Sequence, residues 1–227
     1  MKLNLLPSLF LTVIAIPTAS AATTLTSGHA DIGIGYDGAF DLHVHDDETD
    51  TEYAPDEVIL GVGSAALQFS PGGAFSFLGP AGTPVWVLPK EQNPELLFLG
   101  LGTEELDPAD WTGNIGLTLT AVSGPGTFYL WDVNSFGVPT VSMNSGDGIT
   151  AGDTVSLVPG SHAHYNLGFS APGTYSVSFE ATGLHVVDGF QNSGPAAYTF
   201  QVVPEPGSVV LAIVGAGAVL WYSRRRS

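Results

Sequence analysis

The sequence predicts an all-β protein, an antiparallel β-sandwich of Ig-like or jelly-roll-like kind, followed by a single C-terminal transmembrane helix. Three observations carry this. Short runs of β-branched, aromatic and aliphatic residues recur between turn signals every 8–14 residues or so, roughly the spacing of a sandwich. Two stretches alternate strictly, Ile115-Gly-Leu-Thr-Leu-Thr120 and Tyr175-Ser-Val-Ser-Phe-Glu180, which sends apolar side chains to one face and polar ones to the other. The 29 glycines and 16 prolines among 227 residues punctuate the chain too often for long helices.

Strands are expected, in order, at 30–35, 40–45, 58–60, 66–69, 84–88, 96–99, 115–122, 127–133, 140–143, 154–157, 162–169, 173–181 and 197–203. Turn chemistry separates them: Ser123-Gly-Pro-Gly126, Asp147-Gly148, Gly152-Asp153 and Ser170-Ala-Pro-Gly173, where Gly and Pro supply the dihedrals that a reversal needs. Residues 102–109 suit one short helical turn. No stretch of this region keeps a 3.6-residue period over three turns, and no repeat of fixed period is present.

The ends differ chemically from the middle. Lys2, the apolar stretch 5–16 and Ala19-Ser20-Ala21 form the three parts of a secretory signal peptide, with cleavage expected between Ala21 and Ala22. Pro7 and Pro17 count against a continuous helix there. Residues 1–21 therefore address the chain to the Sec export machinery. At the other end, Val203-Pro204-Glu205-Pro206 precedes an uncharged apolar run at 208–222 and then Arg224, Arg225 and Arg226. That run is slightly shorter than the roughly 17–25 residues usual for a crossing. The arginines would hold the tip in the cytoplasm, with Trp221 and Tyr222 at the interface. The division is thus 1–21 signal peptide, 22–203 ectodomain and 204–227 anchor.

Charge and cysteine content exclude several classes. The chain carries 5 Lys+Arg against 22 Asp+Glu, a net −17, and no cysteine. A surface so acidic repels phosphate backbones, so no nucleic acid partner is expected. Disulfides, thiol catalysis, zinc ribbons and iron–sulfur clusters are all removed. Stability after export must come from core packing or bound metal.

The six histidines are the most informative residues. His43-Val-His45 and His162-Ala-His164 are two His-x-His pairs, where random placement gives about 0.16. On a strand, residues i and i+2 share a face, so each pair offers two imidazoles side by side. Gly28-His29-Ala30-Asp31 adds a third imidazole and a carboxylate at the same spacing. Imidazole nitrogens with a carboxylate suit a transition metal, Zn or Cu first. His185 stands alone and reads as structural.

Other chemistry is thin. Seven acids fall within residues 46–57, partly imitating a calcium loop, but Thr51 occupies the sharp-turn position where glycine is needed and no helices flank it. The run reads as a solvated loop tip. No Gly-x-Ser-x-Gly elbow is present, Gly61-Val-Gly-Ser64 lacks the lysine of a phosphate loop, and no spacing singles out a catalytic carboxylate pair. Trp86, Trp111 and Trp131 read as core. The protein is expected not to be an enzyme.

The Val203–Pro206 motif, apolar run and basic tip together resemble the PEP-CTERM sorting signal. The resemblance implies an exosortase-type membrane protease as partner, with the ectodomain held outside the cytoplasm or released to the cell surface or extracellular matrix. The ectodomain resembles the choice-of-anchor M domain of bacterial surface proteins over about 28–183. The resemblance rests on Gly28-His-Ala-Asp-Ile-Gly33, His45-Asp46-Asp47 and Phe77-Leu-Gly-Pro-Ala-Gly-Thr-Pro-Val-Trp-Val-Leu-Pro89. It continues through Gln92-Asn-Pro94, 97–100, Gly124-Pro-Gly126 and His162-Ala-His-Tyr-Asn-Leu-Gly-Phe-Ser-Ala-Pro-Gly-Thr-Tyr175. Family members usually carry Trp where this chain has Leu167, and His43 lies outside the pattern. In actinobacteria, members are encoded beside transporters resembling the metal-uptake type, which links the family to metal by association. The expectation is a surface-anchored protein holding one transition metal through His29, His45, His162 and His164, helped by Asp31, with Asn166 behind them. Two alternatives stand beside it: a structural or adhesive protein associated with extracellular polysaccharide, and a metalloenzyme.

Overall fold

The computed structural model describes residues 21–204. The strands are β1 (Thr23–Leu25), β2 (Gly28–Tyr36), β3 (Phe40–Asp46), β4 (Thr51–Tyr53), β5 (Val58–Val62), β6 (Leu67–Phe69), β7 (Pro84–Leu88) and β8 (Leu97–Gly102). They continue as β9 (Ile115–Ser123), β10 (Phe128–Val133), β11 (Pro139–Asn144), β12 (Thr154–Leu157), β13 (His162–His164), β14 (Asn166–Phe169), β15 (Gly173–His185) and β16 (Gly189–Val202). Short 3-10 turns occupy Ser64–Ala66, Gly73–Leu78 and Pro108–Asp110, the last overlapping only the end of the segment 102–109 expected to form a helical turn.

The all-β expectation holds, and the pairing is richer than expected. The strands form three sheets: β1-β5-β16-β15-β9-β12, β11-β10-β14-β7-β6, and β13-β8-β2-β3-β4. The expectation of wholly antiparallel pairing is corrected by three parallel pairs, β1 with β5, β16 with β5, and β2 with β8. Strand content shows in residue type and alternation. Pairing direction depends on how distant segments return, which local pattern does not encode.

The six-stranded sheet packs on both others. Phe128 of β10 lies against Phe179 and Phe200, and Phe169 of β14 against Tyr175 and Phe200. These aromatic rings are fully buried, and each buried aromatic removes on the order of 150–250 Å² from water. Tyr198 of β16 is equally buried, and its hydroxyl donates to the His43 carbonyl of β3 at 3.5 Å. The third sheet is thereby held by its inner face, built from Ala30, Ile32, Ile34, Leu42, Val44, Leu97, Leu99 and Leu101.

Two differences from expectation have clear physical causes. The single strand expected at 162–169 is broken at Tyr165, so β13 joins the third sheet and β14 the second. Alternation continues through the break, which conceals the change of sheet. β16 begins at Gly189 instead of 197, through Gly194 and Pro195. Before Thr199 it has no pairing with β5, so the proline lies where one side needs no ladder hydrogen bond. Gly194 has φ +66°, beside a register shift opposite Glu180–Thr182.

Among the described residues no helix is long and apolar enough to cross a membrane. The expected helix at 208–222, Glu205, Pro206, the three arginines and residues 1–20 lie outside the described residues. Ala21, Ala22 and Pro204 are described and exposed.

Candidate metal centre

Period-2 geometry builds the site. Along β2, Ala30, Ile32 and Ile34 enter the core, which leaves His29, Asp31, Gly33 and Gly35 on the opposite face of the sheet. On β3, Leu42 and Val44 face the core, and His43 and His45 lie on the outer face with His29 and Asp31. β8 contributes Phe98, Gly100 and Gly102 to that face, and β13 contributes His162 and His164. Register sets them in rows. Gly100 lies between Asp31 on β2 and His164 on β13, while Gly102 lies between Gly33 and His162.

The glycine floor makes room for the polar side chains. A Cβ on Gly100 would stand 2.0 Å from Asp31 Oδ1 and 3.0 Å from His164 Cε1, closer than atoms can approach. Any larger residue would fill the space that the carboxylate and imidazole occupy.

Ligand atoms of His29, His162 and His164 lie within 4.8 Å of one another. Asp31 forms such groups with His29 and Asp47, and with His162 and Glu104. Each ring is held by its Nδ1 edge. His162 Nδ1 is 2.8 Å from Glu104 Oε1, His164 Nδ1 is 3.4 Å from the Leu99 carbonyl, and His29 Nδ1 touches Asp47 Oδ2. Phe98 stacks on His164 at 3.7 Å and 8° and tilts against His29 at 5.1 Å. An outer partner at one nitrogen fixes the tautomer and leaves the other, Nε2, as the ligating atom. His29 Nε2 is buried with no hydrogen bond.

Asp31 is 2% exposed, and neither carboxylate oxygen accepts a hydrogen bond. His29 Nε2 lies 3.6 Å from its Oδ1. Burial pushes its acid form up from the ordinary carboxylate range, with the His29 and His162 charges opposing. The two β13 histidines diverge. The hydrogen bond to Glu104 lifts His162 above its usual value against the effect of burial. Burial, followed by the like charge of His29, lowers His164.

The remaining expected residues are placed elsewhere. His45 does not join the imidazole group. Its Nδ1 is 3.1 Å from Asp47 Oδ1 and its Nε2 3.3 Å from Asp50 Oδ1, so it braces the carboxylate that holds His29. Burial pulls His45 down, but the Asp50 hydrogen bond and the charges of Asp47, Asp50 and Glu52 outweigh it and leave it raised. Asn166 turns to the second sheet, where Oδ1 accepts from the Lys90 amide at 3.2 Å and Nδ2 donates to the Trp131 carbonyl at 3.3 Å. His185 accepts from the Asp188 amide and packs on Trp111 and Tyr36, the structural role expected. Residues 47–50 of the acidic run form the β3–β4 turn, capped by Asp46 through the Glu48 amide and the Thr49 hydroxyl. Sequence reasoning did not find Asp47, Glu104 or Phe98. Asp47 lies two residues after a singled-out histidine, His45; Glu104 carries no local signal.

No protein-family model, curated protein or solved structure matches the chain.

Proposed function

We propose that this chain is an exported, C-terminally anchored, non-enzymatic β-sandwich protein of the choice-of-anchor M kind. It binds one transition-metal ion, Zn2+ or Cu2+, through His29, His162 and His164, with Asp31 as the neighbouring carboxylate. One observation carries the reading. Three imidazoles from two strands converge, each engaged at Nδ1 by a carboxylate or carbonyl, around a buried carboxylate with no hydrogen bond. Imidazole-rich sets favour Zn and Cu, and oriented rings of this kind are what such ions select. The exported state rests on the signal peptide pattern. Anchoring rests on the tail that follows Pro204, directly beyond the end of β16.

The test is metal content by mass spectrometry on the full chain, purified without a polyhistidine tag, beside the His162→Ala/His164→Ala variant. The variant is expected to carry one Zn2+ or Cu2+ equivalent fewer per chain. Equal content in both proteins ends the metal reading, and the histidines then serve as partners of Asp47 and Glu104 in a metal-free matrix or adhesion module.

A further inference from the structure

The same sheet face carries a second group that the three imidazoles do not use. His43 is 3% exposed, yet neither ring nitrogen makes a hydrogen bond. Nε2 lies 2.8 Å from Glu105 Oε1 without hydrogen-bond alignment, and Nδ1 lies 3.9 Å from Asp41 Oδ2. Ligand atoms of His43, Glu52 and Glu105 fall within 4.8 Å of one another. The floor is again glycine. A Cβ on Gly33 would stand 2.2 Å from His43 Nε2, and one on Gly35 would stand 2.6 Å from Glu105 Oε2. β2 therefore presents, at alternate positions, two side chains to one group and two vacant Cβ positions to the other.

We infer that His43, Glu52 and Glu105 form a second cation site, distinct from the three-imidazole centre and selective for an oxygen-preferring divalent ion such as Mn2+. A buried imidazole with neither nitrogen hydrogen-bonded is costly to the fold, and a cation at Nε2 removes part of that cost. The off-line approach of Nε2 to Oε1 is what two ligands sharing one ion adopt, since bonds of roughly 2.0–2.2 Å place ligand atoms about 3 Å apart. One imidazole with two carboxylates is a harder donor set than three imidazoles, which separates the preferences of the two sites. Consecutive residues of one loop serve both: Glu104 holds His162, and Glu105 meets His43. The inference does not depend on the first centre being filled.

The test is Mn2+ binding to the full chain by electron paramagnetic resonance titration, in the His162→Ala/His164→Ala background, with and without Glu105→Gln. Glu105 is about half exposed, so its amide variant spares the core; Glu52→Gln is a second surface variant, and circular dichroism checks each fold. The expected result is one bound Mn2+ per chain in the histidine variant, weakened about tenfold or more by Glu105→Gln. No Mn2+ bound in the histidine variant, or binding unchanged by both glutamine variants, overturns the second site. Loss of one Zn2+ or Cu2+ on removing His162 and His164 reports the first centre separately, so failure of either site is distinguishable from failure of the other.

Discussion

Asp31→Asn separates a metal centre from a histidine-lined surface, because it should act in opposite directions with and without metal. In the metal-free chain, the carboxylate is 2% exposed and accepts no hydrogen bond. Burying an ion carries an effective penalty of several kcal/mol, partly offset by a nearby opposite charge. A buried amide lacking partners costs about 1–3 kcal/mol by protein mutational scales. The isosteric variant should therefore gain about 2 kcal/mol in chelator, raising Tm by about 4–8 °C for a unit of this size. Metal at a hundredfold excess over its Kd stabilises the wild type by about 2.7 kcal/mol. Loss of an oriented carboxylate beside the ligands weakens metal binding about 10–100-fold, which removes about 1.3–2.3 kcal/mol of that gain. The assay is thermal unfolding of both proteins by calorimetry, in EDTA and in excess Zn2+. The variant should melt higher in EDTA and gain much less on adding Zn2+. A variant that melts lower in EDTA, or that gains as much from Zn2+ as the wild type, refutes this account of Asp31.

Two further outcomes follow from single contacts. Gly100→Ala places a Cβ 2.0 Å from Asp31 Oδ1 and should cost about 1–3 kcal/mol in a urea melt while abolishing Zn2+ stabilisation; Gly63→Ala, whose Cβ would meet only Leu96 Cδ2 at 3.8 Å, should leave Zn2+ stabilisation unchanged. The Lys90 hydrogen bond holds Asp132 below its ordinary value, against burial and with the Val133 amide adding. The stabilisation is thus present above the unfolded-state value near 3.8 and is lost as pH falls through the lower folded value. Because Asp132 is about half exposed, screening limits the effect to about 0.5 kcal/mol, and urea midpoints at pH 6 and pH 2.5 should show that increment vanish in Asp132→Asn.

The legible part of the fold was the part encoded locally. Strict alternation at 115–120 and 175–180 matches β9 and β15, because one face is buried and the period is 2. β1 and β4 passed unnoticed for the same reason in reverse. Each has three residues, and β4 lies inside the acidic run, where Glu52 pairs opposite His45. The start of β16 was hidden by Asn192, Gly194 and Pro195, residue types that ordinarily end strands. Long-range pairing was not legible at all. The parallel alignment of β2 with β8 joins residues about 70 apart in the chain, and no periodicity in either strand specifies it.

That unspecified pairing also divides the site into what could and could not be read. The i, i+2 rule placed His29 with Asp31 and His162 with His164 on shared faces, and both pairs meet on the outer face of the third sheet. The rule is silent on which strands become neighbours. The expected set therefore kept His45, which the structure gives to Asp47, while the family pattern, not the spacing, left out its pair-mate His43, whose ring turns toward Glu105. The missing signal lay in the glycines. Gly33, Gly35, Gly100 and Gly102 follow the same alternation as the histidines, and in strands they weaken pairing without filling the core. Alternating glycine beside alternating histidine across neighbouring strands has a steric meaning here: Gly33, Gly35 and Gly100 clear the space into which a neighbouring carboxylate or imidazole folds over the sheet. A bare His-x-His pair on a polar face needs no such clearance. The glycines are thus the feature that separates a built cavity from solvent-facing histidines, and substituting them tests the cavity without removing a single ligand.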